Sequence, residues 1–242
     1  MGERALQLAL RLFNPSGCSF DDFAAGENHE ALNSVRNWSK GDGVPFVYLF
    51  GGTGCGKSHL AQAAIDAVSV DGTRAMYVPC REVLKFGPEI LTDLGSVAVV
   101  AVDDIGLCAG NHAWELQLFA LYNEILDAGG RLLWTGAKAP LSLDFGLQDL
   151  RSRLAAGLSY QLTDPDDSLK ADILRDRARA RGFDLGDDVL GFILRHERRD
   201  MTSLTRLLDR IDEASLGQAR AVTLPLVREC LTLFDDSRRR DV

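Results

Sequence analysis

The chain has 242 residues, of which 46% are hydrophobic, and its formal net charge at pH 7 is −8. This length allows one large domain, or a large domain followed by a small one. The acidic balance argues against a broad electrostatic grip on nucleic acid, so we expect no direct, sequence-specific DNA binding. There is no secretion signal and no apolar stretch long enough to span a bilayer, and the scattered cysteines indicate reduced thiols. Together these features predict a cytoplasmic protein without a membrane partner.

The first element in chain order is an N-terminal segment, residues 1–18, that carries a short motif. Its residues 7–13, Gln-Leu-Ala-Leu-Arg-Leu-Phe, resemble a bacterial sliding-clamp-binding peptide. Such peptides combine a glutamine that hydrogen-bonds at one end with aliphatic and aromatic anchors that fill an apolar pocket. The alternative is an amphipathic turn that packs on the domain. The residues predicted to contact the clamp are Gln7, Leu8, Leu10, Leu12 and Phe13.

The most specific motif of the chain follows an apolar run over 46–50. Residues 51–58 have the form GxxxxGK[ST] and precede a helical pattern, the context that a phosphate-binding loop requires. Loop N–H groups and the helix N-terminus attract phosphate oxygens, Lys57 reaches the terminal phosphates, and Ser58 offers its hydroxyl to Mg²⁺. The chain is therefore predicted to bind a nucleoside di- or triphosphate. The predicted contacts are Gly52, Thr53, Gly54, Cys55, Gly56, Lys57, Ser58 and His59.

Two acidic residues follow the next clear strand pattern. Residues 97–102 are continuously apolar, which is typical of a central strand in a parallel sheet, and Asp103 and Asp104 come directly after them. At this end of the sheet Asp103 is predicted to hold Mg²⁺ through water, together with Ser58. Asp104 is the candidate to polarise an attacking water. The alternative is a strand end capped by two solvated acids.

Strand and helix patterns alternate along the first two thirds of the chain. A helix is predicted over 114–126, and Gly129 ends it. This alternation predicts an α/β nucleotide-binding domain over 19–163, with a five-stranded parallel sheet covered by helices. The predicted strands cover 46–50, 75–78, 97–102, 131–135 and 159–162.

After residue 163 the pattern becomes purely helical. Apolar stripes at helical spacing predict a small all-helical lid domain over 164–234. The residues after it, 235–242, are charged and are expected to form an irregular tail. The predicted lid helices cover 168–181, 187–195, 201–216 and 224–233.

Several segments resemble the DnaA initiator family of AAA+ ATPases, and the resemblance covers residues 20–233. Residues 20–28 resemble the segment that packs near the adenine in that family, which implies nucleotide contacts for Phe23 and Asn28. Residues 150–157, Leu-Arg-Ser-Arg-Leu-Ala-Ala-Gly, resemble the family's arginine-finger box. Its second basic residue, Arg153, then reaches a nucleotide on a neighbouring subunit. The resemblance implies ADP or ATP with Mg²⁺ as cofactors and allows a homo-oligomer.

The sensor positions differ from the family pattern. Residues 135–140 lie where the first sensor is expected, and Ala137 replaces an acidic residue. Thr202 replaces the second sensor's arginine, and threonine cannot reproduce the bidentate phosphate contact of a guanidinium. The alternative is that Arg198, Arg199 or Arg206 supplies this contact. The resemblance therefore implies weak intrinsic hydrolysis and a bound diphosphate, ADP, that acts as a structural switch.

Three function hypotheses remain open from the sequence. The family's DNA-binding domain has no counterpart after residue 233. Together with the clamp motif, this favours a clamp-tethered regulator that supplies Arg153 to ATP bound by the DnaA initiator. The second hypothesis is a self-sufficient ATPase that acts as a motor or loader in DNA replication. The third is a nucleotide-gated clamp adaptor without a catalytic role.

Overall fold

The described chain divides into two compact units. The computed structural model describes residues 18–70, 72–92, 94, 97–197, 200–218 and 222–238, with backbone alone for 216–218 and 232–238. The first unit comprises the described residues up to Thr163, except Thr53–Cys55. The second unit begins at Asp164 and also includes Thr53–Cys55. Within these residues, no helix combines the length and apolarity that crossing a membrane requires.

The first unit is built on a five-stranded sheet. Its order is β2-β3-β4-β1-β5, and every neighbouring pair is parallel. The central strands are buried on both faces, as their continuous apolar runs predict. The α/β fold with a parallel sheet is therefore confirmed. The strands are β1 (Phe46–Gly51), β2 (Ala75–Pro79), β3 (Val99–Asp103), β4 (Arg131–Gly136) and β5 (Leu158–Leu162).

The strand β3 differs from its predicted bounds. The apolar run suggested a start at residue 97, but the Val97 N–H donates to the Leu94 carbonyl in a turn, and the strand begins at Val99. It continues one residue further than predicted because Asp103 pairs in register with Pro79 of β2. The first acidic residue therefore belongs to the strand itself.

Helices cover both faces of this sheet. The side chains of Val100 and Val102 lie in one core cluster with residues of α4 and α5, whereas Val99 and Ala101 alternate to the opposite face, where α2 packs on the sheet. The helix α1 packs against α2. The helices are α1 (His29–Ser39), α2 (Lys57–Val70), the short α3 (Cys80–Val83), α4 (His112–Asp127) and α5 (Gln148–Ala156).

The second unit is helical and has its own core. Apolar side chains from all of its helices bury one another, with Leu174, Ile193, Leu204 and Val227 each fully inaccessible. A helical lid region is therefore confirmed. Its helices are α6 (Asp167–Ala180), α7 (Asp187–His196), α8 (Met201–Gln218) and α9 (Leu224–Arg238).

The last helix corrects one prediction. The tail was expected to become irregular at Asp235, but α9 continues to Arg238. Charge alone does not end a helix, and the sequence has neither glycine nor proline between 226 and 238 to interrupt it. The prediction of an irregular tail is therefore wrong for residues 235–238.

Candidate nucleotide-binding site

The phosphate loop joins the end of β1 to the start of α2. Its last glycine, Gly56, has φ +95° and lies against the Phe23 ring, where a Cβ atom would come within 2.4 Å of Phe23 Cε2. Only glycine fits both that dihedral and that contact. The Lys57 ammonium donates to the carbonyl oxygens of Gly51, at 2.9 Å, and Gly52, at 2.6 Å. The ammonium group of Lys57 is therefore held against the first two residues of the loop.

Asp103, at the end of β3, is the centre of a hydrogen-bond network. The side chain is only 8% exposed. Its Oδ2 accepts from Ser58 Oγ and from the Tyr77 hydroxyl, both at 2.8 Å, and its Oδ1 accepts from Thr135 Oγ1 at 2.5 Å. Burial, and then the Asp103 charge and hydrogen bond, raise the pKa of Tyr77 far above its usual range, so the phenol stays protonated and donates.

Asp104 has a different environment from its neighbour. It is the only non-glycine residue in the described chain with positive φ, at 60°. Its N–H donates to Thr135 Oγ1 at 2.9 Å, and its carboxylate lies 3.6 Å from the exposed Arg81 guanidinium. Burial and the Asp103 charge raise the pKa of Asp104, while Arg81 and Lys57 partly offset them. A carboxylate with this tendency to take a proton suits a group that polarises water.

The donor set fits a magnesium nucleotide. Ser58 and Asp103 supply hydroxyl and carboxylate oxygens, the ligand type that Mg²⁺ prefers, within 2.8 Å of each other. Among the described residues there is no cluster of three or more His, Cys, Asp or Glu that could hold a metal ion. Phosphate oxygens and water would have to complete the coordination of Mg²⁺, as is usual for this ion.

The segment before α1 lies partly at this site. Phe23 packs on Gly56, its ring centroid is 5.8 Å from that of His59, and His59 Nε2 is 2.9 Å from the Ser19 carbonyl oxygen. Asn28 instead contacts the residue that follows β5. Its buried amide donates to the Thr163 carbonyl, at 3.0 Å, and accepts from the Thr163 N–H, at 2.8 Å. The structure therefore brings Phe23 and His59 to the phosphate loop, whereas Asn28 fastens the end of β5.

The predicted sensor positions offer no charge of their own. Ala137 is exposed just after β4. The Tyr48 hydroxyl donates to the Lys138 carbonyl at 2.9 Å and occupies the space beside Gly136, where a Cβ atom would lie 2.0 Å from it. Thr202 is exposed as the second residue of α8. The role of these positions in hydrolysis remains a prediction.

Arg153 lies at the surface. It is in the last turn of α5, and its guanidinium carbon lies 5.7 Å from the Tyr122 ring centroid. No carboxylate within the described ranges pairs with it. Arg151 differs, because it donates to the Leu141 carbonyl at 3.3 Å and buries its Nε without a hydrogen-bond partner among the described groups. Of the two basic residues, Arg153 is the more exposed.

Sequence reasoning missed three polar residues at or near the site. Tyr77 and Thr135 stand on β2 and β4, and only the strand order places them on both sides of Asp103. Glu115 is 1% exposed on α4 and accepts three backbone N–H groups. Its burial could have been inferred from its position, because it follows Trp114 and precedes Leu118 on the buried face of the helix.

The predicted clamp contacts, Gln7 to Phe13, lie outside the described residues.

Fold and site together define the class of protein. A parallel sheet with a phosphate loop after β1, an acidic strand end beside it and a following helical unit is the AAA+ architecture of the initiator type. Residues 16–161 match the family model of the bacterial DnaA ATPase domain, and residues 167–231 match that of the Hda lid domain. The chain belongs to the bacterial DnaA ATPase family, and its second unit makes it similar to Hda.

Solved structures show the same fold. Domain III of the replication initiation protein DnaA from Thermotoga maritima aligns with a TM-score of 0.80 and 23% identity, covering 91% of this chain and 98% of that one. AMPPCP-bound DnaA from Aquifex aeolicus has a TM-score of 0.68 and 21% identity, over 82% and 66% of the two chains. A mutant of RuvB from Thermotoga maritima has a TM-score of 0.66 and 18% identity, over 90% and 72%.

Proposed function

We propose that this protein regulates bacterial replication initiation by stimulating ATP hydrolysis in the DnaA initiator. The observation that carries the proposal is Arg153, an exposed guanidinium at the end of α5 with no ion pair in the described structure. A DnaA-type ATPase unit followed by an Hda-type lid supports it. The initiator's ATP is then the substrate, and this chain is an activator more than an enzyme in its own right.

The chemistry of the proposed step follows from the guanidinium. Negative charge spreads over the phosphoryl oxygens as the phosphoryl group transfers to water. A guanidinium that reaches those oxygens from a second protein neutralises that charge and forms bidentate hydrogen bonds. Fingers of this kind accelerate hydrolysis by roughly a thousandfold or more. Arg153 needs accessibility for this role, and its position at the surface of α5 provides it.

The chain's own nucleotide has a structural role in this proposal. Lys57 and the phosphate loop bind ADP or ATP, Ser58 and Asp103 hold Mg²⁺, and Asp104 is available to polarise water. The AMPPCP bound by a DnaA of the same fold supports an adenine nucleotide. Without charged groups at Ala137 and Thr202, we expect slow intrinsic hydrolysis and stable binding of ADP, which sets the conformation from which Arg153 acts.

Recruitment is assigned to the N-terminal segment. We propose that Gln7, Leu8, Leu10, Leu12 and Phe13 bind the polymerase sliding clamp, which concentrates the regulator where replication is under way. The working division of the chain is a clamp-binding segment over 1–18, the ATPase domain over 19–163 and the lid over 164–234. The proposed location is the cytoplasm, where the initiator and clamp operate.

The decisive mixture contains initiator preloaded with γ-labelled ATP, DNA-loaded clamp and this protein with ADP. We expect labelled phosphate to appear quickly only when all components are present. The complete Ser58–Asp103–Asp104 arrangement also allows a second candidate, a self-sufficient ATPase. That candidate predicts brisk turnover by this protein alone, so the same assay without initiator separates the two.

Clamp binding has its own test. Changing Gln7 and Phe13 together to alanine removes the hydrogen-bonding residue and an aromatic anchor. We expect co-elution with a sliding clamp to be lost while nucleotide affinity remains unchanged, because the phosphate loop is untouched. Alanine at Arg11, which is not an anchor, is the matched control. Normal clamp binding by the double variant would show that the segment has another role.

A further inference from the structure

One buried carboxylate lies outside the nucleotide site and has no part in the proposed function so far. Glu115, on α4, is 1% exposed. Its Oε1 accepts from the N–H groups of Gly110, at 2.8 Å, and Gly146, at 3.1 Å. Its Oε2 accepts from the Leu147 N–H at 2.7 Å. One side chain thus fastens two loops that are 36 residues apart in sequence.

The first loop begins at the nucleotide site. Gly110 closes the segment that starts at Asp104 and contains a short 3-10 helix, Ile105–Cys108. Within it, the Leu107 N–H donates to the Asp104 carbonyl at 3.1 Å. Asp104 itself is held by Thr135, which also donates to Asp103. The backbone from Asp104 to Gly110 therefore links the acidic strand end to the Glu115 carboxylate over six residues.

The second loop carries the helix with Arg153. Gly146 and Leu147 directly precede α5, and Leu147 is its N-cap residue. The helix has nine residues, and Leu150 and Leu154 are fully buried beneath it. With two buried anchors over nine residues, we expect α5 to behave as one rigid element, so that a shift of its first turn also displaces its last turn. Arg153 is in that last turn.

A second contact joins the same two loops. The side chain of Leu143, which precedes α5, packs on the 3-10 segment, since a Cβ atom on Gly106 would lie 3.3 Å from Leu143 Cδ2. Leu143 is itself buried in the core beside α4 and α5. The two loops are therefore coupled both by the carboxylate and by close packing, independently of each other.

We propose that Glu115 is a positioning residue that couples the nucleotide-side segment after Asp104 to the helix that presents Arg153. Its effect on initiator ATP rests on the proposed function above, whereas the coupling itself is a property of this chain. In this arrangement the Asp104 segment would respond to occupation of the nucleotide site through Asp103 and Thr135, and the Glu115 carboxylate would carry that change to α5. Regulation of Arg153 is then built into the fold of one subunit.

The charge of Glu115 matters for this role. Burial raises the pKa of this carboxyl, but the N–H groups of Gly146, Leu147 and Gly110, together with nearby His112, outweigh burial and lower it overall. The group is therefore ionised at neutral pH, and its hydrogen bonds are of the stronger, charge-assisted kind. A neutral amide would keep most of the shape but would hold the two loops more weakly. A glutamine variant therefore separates coupling from simple space filling.

Amide hydrogen exchange of the full chain, with and without ADP, tests the coupling. In the wild type we expect ADP to change the protection of both the 104–110 segment and residues 146–147. In Glu115→Gln the change should persist at 104–110 and become clearly smaller at 146–147, where the packing of Leu143 against Gly106 remains. Glu124→Gln, an exposed glutamate of the same helix, is the control and should behave as wild type. A variant that lowers protection equally in both states, yet keeps the ADP-dependent difference, would reduce Glu115 to a structural role.

The consequence for a partner is measured separately. Glu115→Gln should lower the maximal rate of initiator ATP hydrolysis roughly fivefold to tenfold, without a change in the concentration that gives half the effect. Failure of Arg153→Ala to affect that rate would overturn the proposed function but leave the exchange result standing. If Glu115→Gln does not fold, Glu115→Asp, which keeps the charge but shortens the side chain, is compared with the wild type in the same exchange experiment. Absence of any ADP-dependent change at 146–147 in the wild type would overturn the coupling outright.

Discussion

Asp103, at the acidic strand end, and Arg153, at the end of α5, differ in how their side chains are held. Asp103 is buried, and both its oxygens accept hydrogen bonds from side chains of α2 and of the flanking strands β2 and β4. Arg153 projects from the surface, and the contact that orients it is the Tyr122 ring. Asp103 is held by side chains from three elements, whereas the Arg153 side chain is exposed and, among the described residues, rests on the Tyr122 ring.

The contrast reflects two different tasks: one group acts on a nucleotide bound by the same molecule, and the other is proposed to act on a nucleotide bound by a partner. A group that acts on a nucleotide bound by the same molecule is fixed in advance, because preorganisation reduces the entropy cost of binding and lowers the activation free energy of the reaction. A group that acts on another molecule must remain accessible, and its orientation has to come from the element that carries it. The proposed roles of Lys57 with Asp103, in one molecule, and of Arg153, between two, follow this division.

Apart from the loss of Arg153 itself, the largest effect is expected from the phosphate loop. Lys57→Ala removes the ammonium that lies over Gly51 and Gly52, and we expect adenine-nucleotide affinity to fall roughly a hundredfold, the loss typical of a charge-assisted contact. Thermal unfolding should show that the α/β unit still folds. Calorimetric titration with ADP and ATP measures the affinity, with Lys85→Ala as an exposed control. Unchanged affinity would show that Lys57 does not contribute to nucleotide binding.

Thr135→Val tests how far the strand end is fixed by its network. The isosteric change leaves Asp103 Oδ1 and the Asp104 N–H without their buried partner, which should cost about 1–3 kcal/mol of unfolding free energy. Nucleotide affinity should weaken more with Mg²⁺ than without it, because Asp103 loses its fixed position. Denaturant unfolding and titrations with and without Mg²⁺ measure both effects. Thr92→Val, at an exposed threonine, should change neither.

Tyr122→Leu weakens the support beneath Arg153. A cation–π contact at an exposed site contributes about 0.5–1 kcal/mol, so we expect initiator ATP hydrolysis to slow about threefold. Stability should also fall, since Tyr122 packs edge-on against Phe46 and Trp134. Nucleotide affinity should remain as in the wild type. An unchanged rate in a folded variant would show that Arg153 is oriented by the partner alone.

The smallest effect is expected at Asp104. Burial and the Asp103 charge raise its pKa, so ionisation of Asp104 costs stability at neutral pH and not in acid. Asp104→Asn should therefore raise the melting temperature of the nucleotide-free protein slightly at pH 7. The gain should shrink as the pH falls below the raised pKa, where the wild-type carboxyl takes a proton. Asparagine also tolerates the positive φ of this position. A lower melting temperature at pH 7 would show that the contact with Arg81 outweighs burial.

Parts of the molecule follow directly from the sequence. The phosphate loop is recognisable because glycines, lysine and serine at fixed spacing are set between a strand pattern and a helix pattern. The buried strands are recognisable because sheets covered on both faces need continuous apolar runs. The assignment of Asp103 to the site follows from its place at the end of such a run.

Other parts need the three-dimensional arrangement. Tyr77 and Thr135 reach Asp103 because the strand order is β2-β3-β4, which no local pattern specifies. Glu115 joins two loops far apart in sequence, so its backbone partners depend on the tertiary structure and not on a local pattern. The extent of α9 was missed because composition predicts the end of a helix poorly when no glycine or proline marks it.

One single-turnover rate shows whether Arg153 acts on a partner's nucleotide. Initiator preloaded with γ-labelled ATP is mixed with DNA-loaded clamp and either wild-type protein, Arg153→Ala or Arg151→Ala, each with ADP bound. We expect Arg153→Ala to lose roughly a thousandfold stimulation while it retains its clamp and nucleotide affinities, and Arg151→Ala to have a milder effect. Wild-type stimulation by Arg153→Ala would exclude the arginine finger and leave this protein as an adaptor that gathers initiator and clamp.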